Sequence, residues 1–108
     1  MKKRAITTVA AIVSLAAVLG LPGCARKSAA LKVGATPVPH AELLKLVQPE
    51  LEAKGIKLEI VEFTDYVTPN IALAEKQLDA NFFQHQPYLE SFASERKLEL
   101  ESAGLVHV

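Results

Sequence analysis

The stretch Asp79-Ala80-Asn81-Phe82-Phe83-Gln84-His85-Gln86-Pro87-Tyr88 constrains this chain more than any other. A short apolar run, Ala80 to Phe83, gives way at once to amides, an imidazole and a proline. Proline suits the first position of a helix, because its missing N–H would have had no partner inside the helix. The segment therefore predicts a strand handing over to a helix. In an open α/β sheet, ligands sit beyond the carboxyl ends of the strands, where loops and helix starts present donors and rings. Phe83, His85 and Tyr88 fall in that crevice, while Phe82 points to the opposite face and is assigned to the core. The plainer alternative keeps both phenylalanines in the core and leaves Gln84 to Gln86 as an ordinary polar loop.

The same grammar runs through the preceding residues. Leu31 to Ala35 alternates apolar with polar or small residues and reads as a first strand. Thr36-Pro37-Val38-Pro39-His40 follows as a stiff loop. From Ala41 onward, Leu43, Leu44, Val47 and Leu51 fall on one helical face. Pro49 removes the bond from its nitrogen to the Lys45 carbonyl and predicts a kink or break near Gln48. Gly55 closes the helix at the C′ position. Ile56 to Phe63 carries apolar residues on both faces, which suits an interior parallel strand. Asp65 or Thr68 can cap a helix with Pro69 in its first turn and Ile71, Leu73, Ala74 and Leu78 as apolar members.

After the Ala80–Phe83 strand, a helix from Pro87 to about Arg96 buries Leu89, Phe92 and Ala93. Leu98-Glu99-Leu100-Glu101 alternates like a fourth strand, and an apolar run resumes at Leu105. The order β-α-β-α-β-α-β predicts a parallel α/β sheet with right-handed crossovers. At 108 residues the chain holds one globular domain at most.

The N-terminus has a different character. Lys2, Lys3 and Arg4 precede an apolar run from Ala5 to about Leu19, the length and charge order of an export signal rather than a membrane span. It closes with Leu21-Pro22-Gly23-Cys24, which resembles the lipobox of bacterial lipoproteins, although Pro22 is an unusual middle residue. The resemblance implies cleavage before Cys24 and a lipid on its sulfur. It accounts for a chain with a single cysteine. Residues 1–23 then form the signal peptide, 24–30 a lipid-anchored tether, and 31–108 the folded part.

Charge and motif content narrow the function. Twelve basic residues balance twelve acidic ones, and removing the three of the signal leaves an acidic excess. A mildly acidic chain without a basic patch argues against nucleic acid as a partner. No nucleophile elbow or phosphate-binding glycine loop occurs, so an enzyme is not expected. His40, His85 and His107 lack metal-ligand spacing, and neither a metal nor another cofactor is expected.

Three stretches together resemble the NlpA family of lipoproteins, the methionine-binding components of bacterial ABC importers. They are Leu31-Lys32-Val33-Gly34-Ala35-Thr36-Pro37 with Pro39-His40-Ala41-Glu42; Glu59 through Val67 with Pro69-Asn70; and Leu78 through Tyr88. The resemblance implies a two-lobed periplasmic-binding-protein fold of which residues 31–108 supply part of the first lobe, the second lying beyond Val108. It implies methionine or a close relative as ligand, a membrane permease as partner, and a location on the cell envelope. It carries the ligand role to Tyr66, Phe83, His85 and Tyr88, with Asn70 and Gln84 fixing loops or orienting the ligand. Tyr66 follows the second strand and Tyr88 the third, so a parallel sheet brings both rings to one edge independently of the family. The alternative of a different class is a surface lipoprotein without transport function, or a truncated fragment without function. Because the central motif has no arginine or lysine to meet a carboxylate, the isolated chain is expected to bind methionine no tighter than millimolar.

Overall fold

A computed structural model describes residues 29–106. The signal segment, Cys24, most of the tether and His107 lie outside the described residues. Three strands, β1 (Leu31–Ala35), β2 (Leu58–Glu62) and β3 (Ala80–Phe82), form one parallel sheet in the order β2-β1-β3. Helices α1 (Glu42–Ala53), α2 (Thr68–Ala74) and α3 (Gln86–Arg96) follow the strands in turn.

The central position of β1 follows from its side chains. Val33, Gly34 and Ala35 are all buried. Gly34 pairs in register with Val61 on one side and Asn81 on the other. A Cβ added there would lie 2.6 Å from Leu78 Cδ1 and 2.9 Å from Phe63 Cε2. The missing side chain lets that layer close onto the sheet. Asp79 then sets the approach of β3: its N–H donates to the Lys32 carbonyl at 2.9 Å, and its Oδ2 accepts the Lys32 N–H at 2.8 Å.

Residues in register on neighbouring strands share a face, and successive residues alternate. Lys45 of α1 reaches Glu62 at 2.7 Å, so α1 covers the face that carries Val33 and Ala35. Asn81 Nδ2 donates to the Pro69 carbonyl at 3.1 Å, so the start of α2 covers the Gly34 face. The chain leaves β1 for β2 on one side and returns past β1 to β3 on the other. The direction of winding reverses between β1 and β3, and their carboxyl ends form a topological switch point.

Helix ends are fixed by local bonds. After α1, Gly55 adopts φ +79°, its N–H donates to Glu52 O, and Ile56 N–H donates to Leu51 O, each at 2.9 Å. This is the Schellman arrangement anticipated for Gly55. Lys76 and Lys97 take the same left-handed position after α2 and α3, with φ 61° and 54°. The N-cap position of α2 is Val67 rather than Asp65 or Thr68; Asp65 tightens the turn leading into the helix, its Oδ2 accepting the N–H groups of Val67 at 3.0 Å and Thr68 at 2.7 Å.

Four further expectations are corrected. Helix α1 runs unbroken through Pro49. The orphaned carbonyl belongs to exposed Lys45, where water can satisfy it, and Gln48 Nε2 donates to the Leu58 carbonyl at 2.9 Å to hold the following turn. Strand β2 is an edge rather than an interior strand, with Ile56 left exposed, because β3 takes the other side of β1. Residues 97–106 form no strand. The alternation of Leu98 to Glu101 specifies a face, but a strand also needs a neighbour to accept its backbone bonds. Finally, Phe82 is half-buried rather than core, since β3 is an edge as well.

Candidate functional site

The loops leaving all three strands meet at the switch point. They enclose a groove of about 410 Å³, within the usual range for small-molecule sites. Thr36, Val38, Pro39 and His40 line it from the loop after β1, Tyr66 from the loop after β2, and Phe83, Gln84, His85 and Tyr88 from the segment after β3. None of these is Lys, Arg, Asp or Glu. A second hollow of about 540 Å³ adjoins it, shares Phe83, Gln84 and both described histidines, and is walled on its far side by the irregular residues 101–106. The smaller groove is the better candidate, because every wall comes from segments that directly follow the strands, Tyr88 from the first turn of α3.

The rings form a graded wall. Phe83 is 6% exposed, Tyr88 38% and Tyr66 63%, so the phenylalanine is the floor and the tyrosines are the rim. Phe83 stacks nearly parallel to Tyr66, with centroids 6.2 Å apart and planes at 12°, and meets Tyr88 edge to face at 6.2 Å and 78°. Each such pair is worth about 0.5–1.5 kcal/mol beyond simple burial. Phe83 is thus buried and at the same time lines the groove. The Tyr88 hydroxyl donates to the Tyr66 carbonyl at 2.6 Å and closes the rim. Phe92 packs 5.8 Å from Tyr88, and the Arg96 guanidinium lies 4.5 Å over the Phe92 ring; neither lines the groove.

Local electrostatics explain how Tyr66 is held. The Asp65 carboxyl is kept below its ordinary value of 3.8, first by the Thr68 backbone N–H, then by the Thr68 hydroxyl, with a smaller part from the Val67 N–H. These donors favour the charged form. The turn they tighten presents the Tyr66 ring on one side and its carbonyl toward Tyr88.

Asn70 stands behind the rings rather than among them. It is 0% exposed, and its Nδ2 donates to Gln84 Oε1 at 2.7 Å. Its Oδ1 accepts from Gln84 Nε2 at 2.7 Å and from Asn81 Nδ2 at 2.9 Å. Among the described residues no buried side-chain nitrogen or oxygen is left without a partner. Gln84 lines the groove, Asn70 does not, and His85 lines the groove as the residue that precedes α3.

Several lining residues were not singled out from the sequence. Thr36 is buried, its hydroxyl lies 2.8 Å from His40 Nδ1, and the His40 ring meets Phe82 edge to face at 4.7 Å. The rule that marked the residues after β3 applies equally after β1, and would have found them. Asn81 faces the opposite side of β3 from Phe82, where a short polar strand residue beside Gly34 was the available signal. No group of three or more His, Cys, Asp or Glu residues among those described could hold a metal ion.

Fold and groove describe an α/β domain with an uncharged, aromatic groove at the carboxyl edge of its sheet. The NlpA lipoprotein family profile matches residues 31–108, and the chain belongs to that family. It is 48% identical over 77 residues to the methionine-binding lipoprotein MetQ of Bacillus subtilis, covering 70% of this chain and 28% of that protein. A lipoprotein from Ruminococcus gnavus superposes with a TM-score of 0.68 at 45% identity, over 69% of this chain and 31% of that one. A nutrient binding protein from Burkholderia cenocepacia, solved bound to methionine, superposes with a TM-score of 0.59 at 46% identity, over 62% of this chain and 28% of that one. The chain thus spans about three tenths of the length of these relatives.

Proposed function

We propose that this chain belongs to the lipid-anchored substrate-binding component of an ABC importer, which holds methionine or a close relative and delivers it to a membrane permease. The groove of Tyr66, Phe83 and Tyr88 at the switch point carries this reading. A methionine side chain is apolar, flexible and polarizable, and sulfur–aromatic contacts add about 0.3–1.5 kcal/mol each. Two relatives support the ligand class, one named as methionine-binding and one solved with methionine. In this reading Phe83 floors the side-chain pocket, Tyr66 and Tyr88 flank it, and His85 and Gln84 offer polar atoms at its edge. Lipid on Cys24 holds the protein at the envelope surface, since a multiply acylated terminus anchors stably where one chain does not.

Magnitudes set what this half of a site does alone. Burying a methionine-sized side chain contributes roughly 1.5–3 kcal/mol, and ring contacts about 1–2 more. Micromolar binding needs about 8 kcal/mol net of association costs. The groove offers no cation for the ligand carboxylate and no anion for its ammonium, so the rest of the ligand shell comes from a second lobe.

The test uses the complete gene in a strain lacking methionine importers. Uptake of radiolabelled methionine is expected to return with the unaltered gene and to fall at least about tenfold with Tyr66→Ala and Tyr88→Ala combined, the loss of about 1.4 kcal/mol or more in binding. Absence of uptake with the expressed, unaltered protein contradicts the transport role.

A further inference from the structure

We infer that the Asn70–Gln84 amide pair is a positioning clamp, which sets the gap between the ring after β2 and the rings after β3 and so the width of the ligand groove. The ligand part of this statement rests on the binding role proposed above; the ring-positioning part does not.

The orientation of the amides is fixed by one atom that can only accept. The Pro69 carbonyl takes the Asn81 Nδ2 donor at 3.1 Å. The same nitrogen donates to Asn70 Oδ1, which leaves Asn70 Nδ2 facing Gln84 and requires Gln84 to turn Oε1 toward it. Gln84 Nε2 then donates back to Asn70 Oδ1 at 2.7 Å, closing a reciprocal pair, with a longer contact to Asn81 Oδ1 at 3.3 Å. Each amide in this pair has one satisfactory orientation.

The pair joins the two segments that carry the rings. Asn70 lies in the first turn of α2, four residues after Tyr66, and Gln84 lies between Phe83 and His85. Asn81 of β3 also holds the start of α2, through the Pro69 carbonyl and Asn70 Oδ1, but it does not line the groove. Among the groove-lining residues the other described tie is from the Tyr88 hydroxyl to the Tyr66 carbonyl, at the exposed rim where water competes. Asn70 is fully buried and Gln84 half-buried, so water competes less for the bonds between them. Loss of the amide pair therefore leaves the start of α2 tied to β3 through Asn81 but loosens the Tyr66 ring against Phe83 and Tyr88 at the groove.

The chain offers its own reporter. It has two tyrosines, Tyr66 and Tyr88, and no tryptophan. The tyrosine near-ultraviolet circular dichroism of the 108-residue chain therefore reports on the rim of the groove. Gln84→Glu keeps an acceptor for Asn70 Nδ2 but sets oxygen against Asn70 Oδ1. It is expected to lose most of the tyrosine signal while the far-ultraviolet spectrum is unchanged. Asn70→Gln combined with Gln84→Asn rebuilds the pair with the lengths exchanged and is expected to restore most of the signal. Val33→Ala, a core change in β1 away from the groove, is expected to lower the melting temperature with the tyrosine signal intact. A full signal in Gln84→Glu, equal loss in Val33→Ala, or no recovery in the folded exchange variant overturns the clamp. Methionine added to the wild-type chain separates the two claims. A tyrosine signal that ignores saturating methionine, alongside the expected loss in Gln84→Glu, sinks the ligand reading and leaves ring positioning standing.

Discussion

The outer helix α1 and the seam between α2 and β3 invert what their side chains advertise. Helix α1 carries a regular apolar face, yet none of its residues is buried, and Leu43 and Val47 of that face are 40% and 41% exposed. The α2–β3 seam carries Asn70, Asn81 and Gln84, yet Asn70 is among the most buried side chains described. Apolar periodicity shows which face of a helix can be covered. How much is covered depends on what lies opposite, and opposite α1 is a sheet of three strands whose edge is β2. Polar residues reach the interior when every donor and acceptor is matched, as in the amide network.

The largest expected effect sharpens the contrast at the seam itself. Gly34→Ala forces Leu78 and Phe63 to move and is expected to destabilise the chain by about 1–3 kcal/mol, the usual range for overpacking. Urea unfolding followed by far-ultraviolet circular dichroism measures this, and an unchanged midpoint contradicts the close approach at Gly34.

A paired measurement addresses the inversion next. Asn70→Ala leaves the Gln84 and Asn81 amides short of partners in a buried place and is expected to cost about 1–3 kcal/mol. Leu46→Ala, on the exposed face of α1, is expected to change stability by less than about 0.5 kcal/mol. Equal losses for the two would break the comparison.

The smallest effect concerns the turn that holds Tyr66. Asp65 is held below its ordinary value of 3.8 by the donors of Thr68 and Val67. Its contribution is therefore fully present above that value and is lost as pH falls through the lower value of the folded state. The melting temperature of Asp65→Ala is expected to lie slightly below wild type at neutral pH, with the two curves converging at acid pH. Curves that stay parallel across the acid range contradict a charged carboxylate at this turn.

Much of this fold was legible because its signals are local. Gly55 ends α1 where a left-handed residue was needed, Pro87 opens the first turn of α3, and β1 falls where Leu31 to Ala35 alternates. The misjudged elements all depend on partners. Pro49 is tolerated because its orphaned carbonyl faces water, β2 lies at an edge because β3 occupies the far side of β1, and Leu98 to Glu101 finds no strand to pair with. The site divides in the same way. Chain order and the parallel topology placed Tyr66 and Tyr88 at one edge, whereas the contacts of His40 with Phe82 and of Asn70 with Gln84 link segments whose approach only the folded sheet creates.

The central claim is that the rings after β2 and β3 form one half of a methionine side-chain pocket. Its most direct test is a nuclear magnetic resonance titration of this chain with methionine, following the ring signals of Tyr66, Phe83 and Tyr88. The account predicts that these three shift together and saturate only in the millimolar range, with alanine, which lacks the thioether, producing much smaller shifts. Rings that stay unmoved through the titration, or that respond equally to alanine, would contradict it.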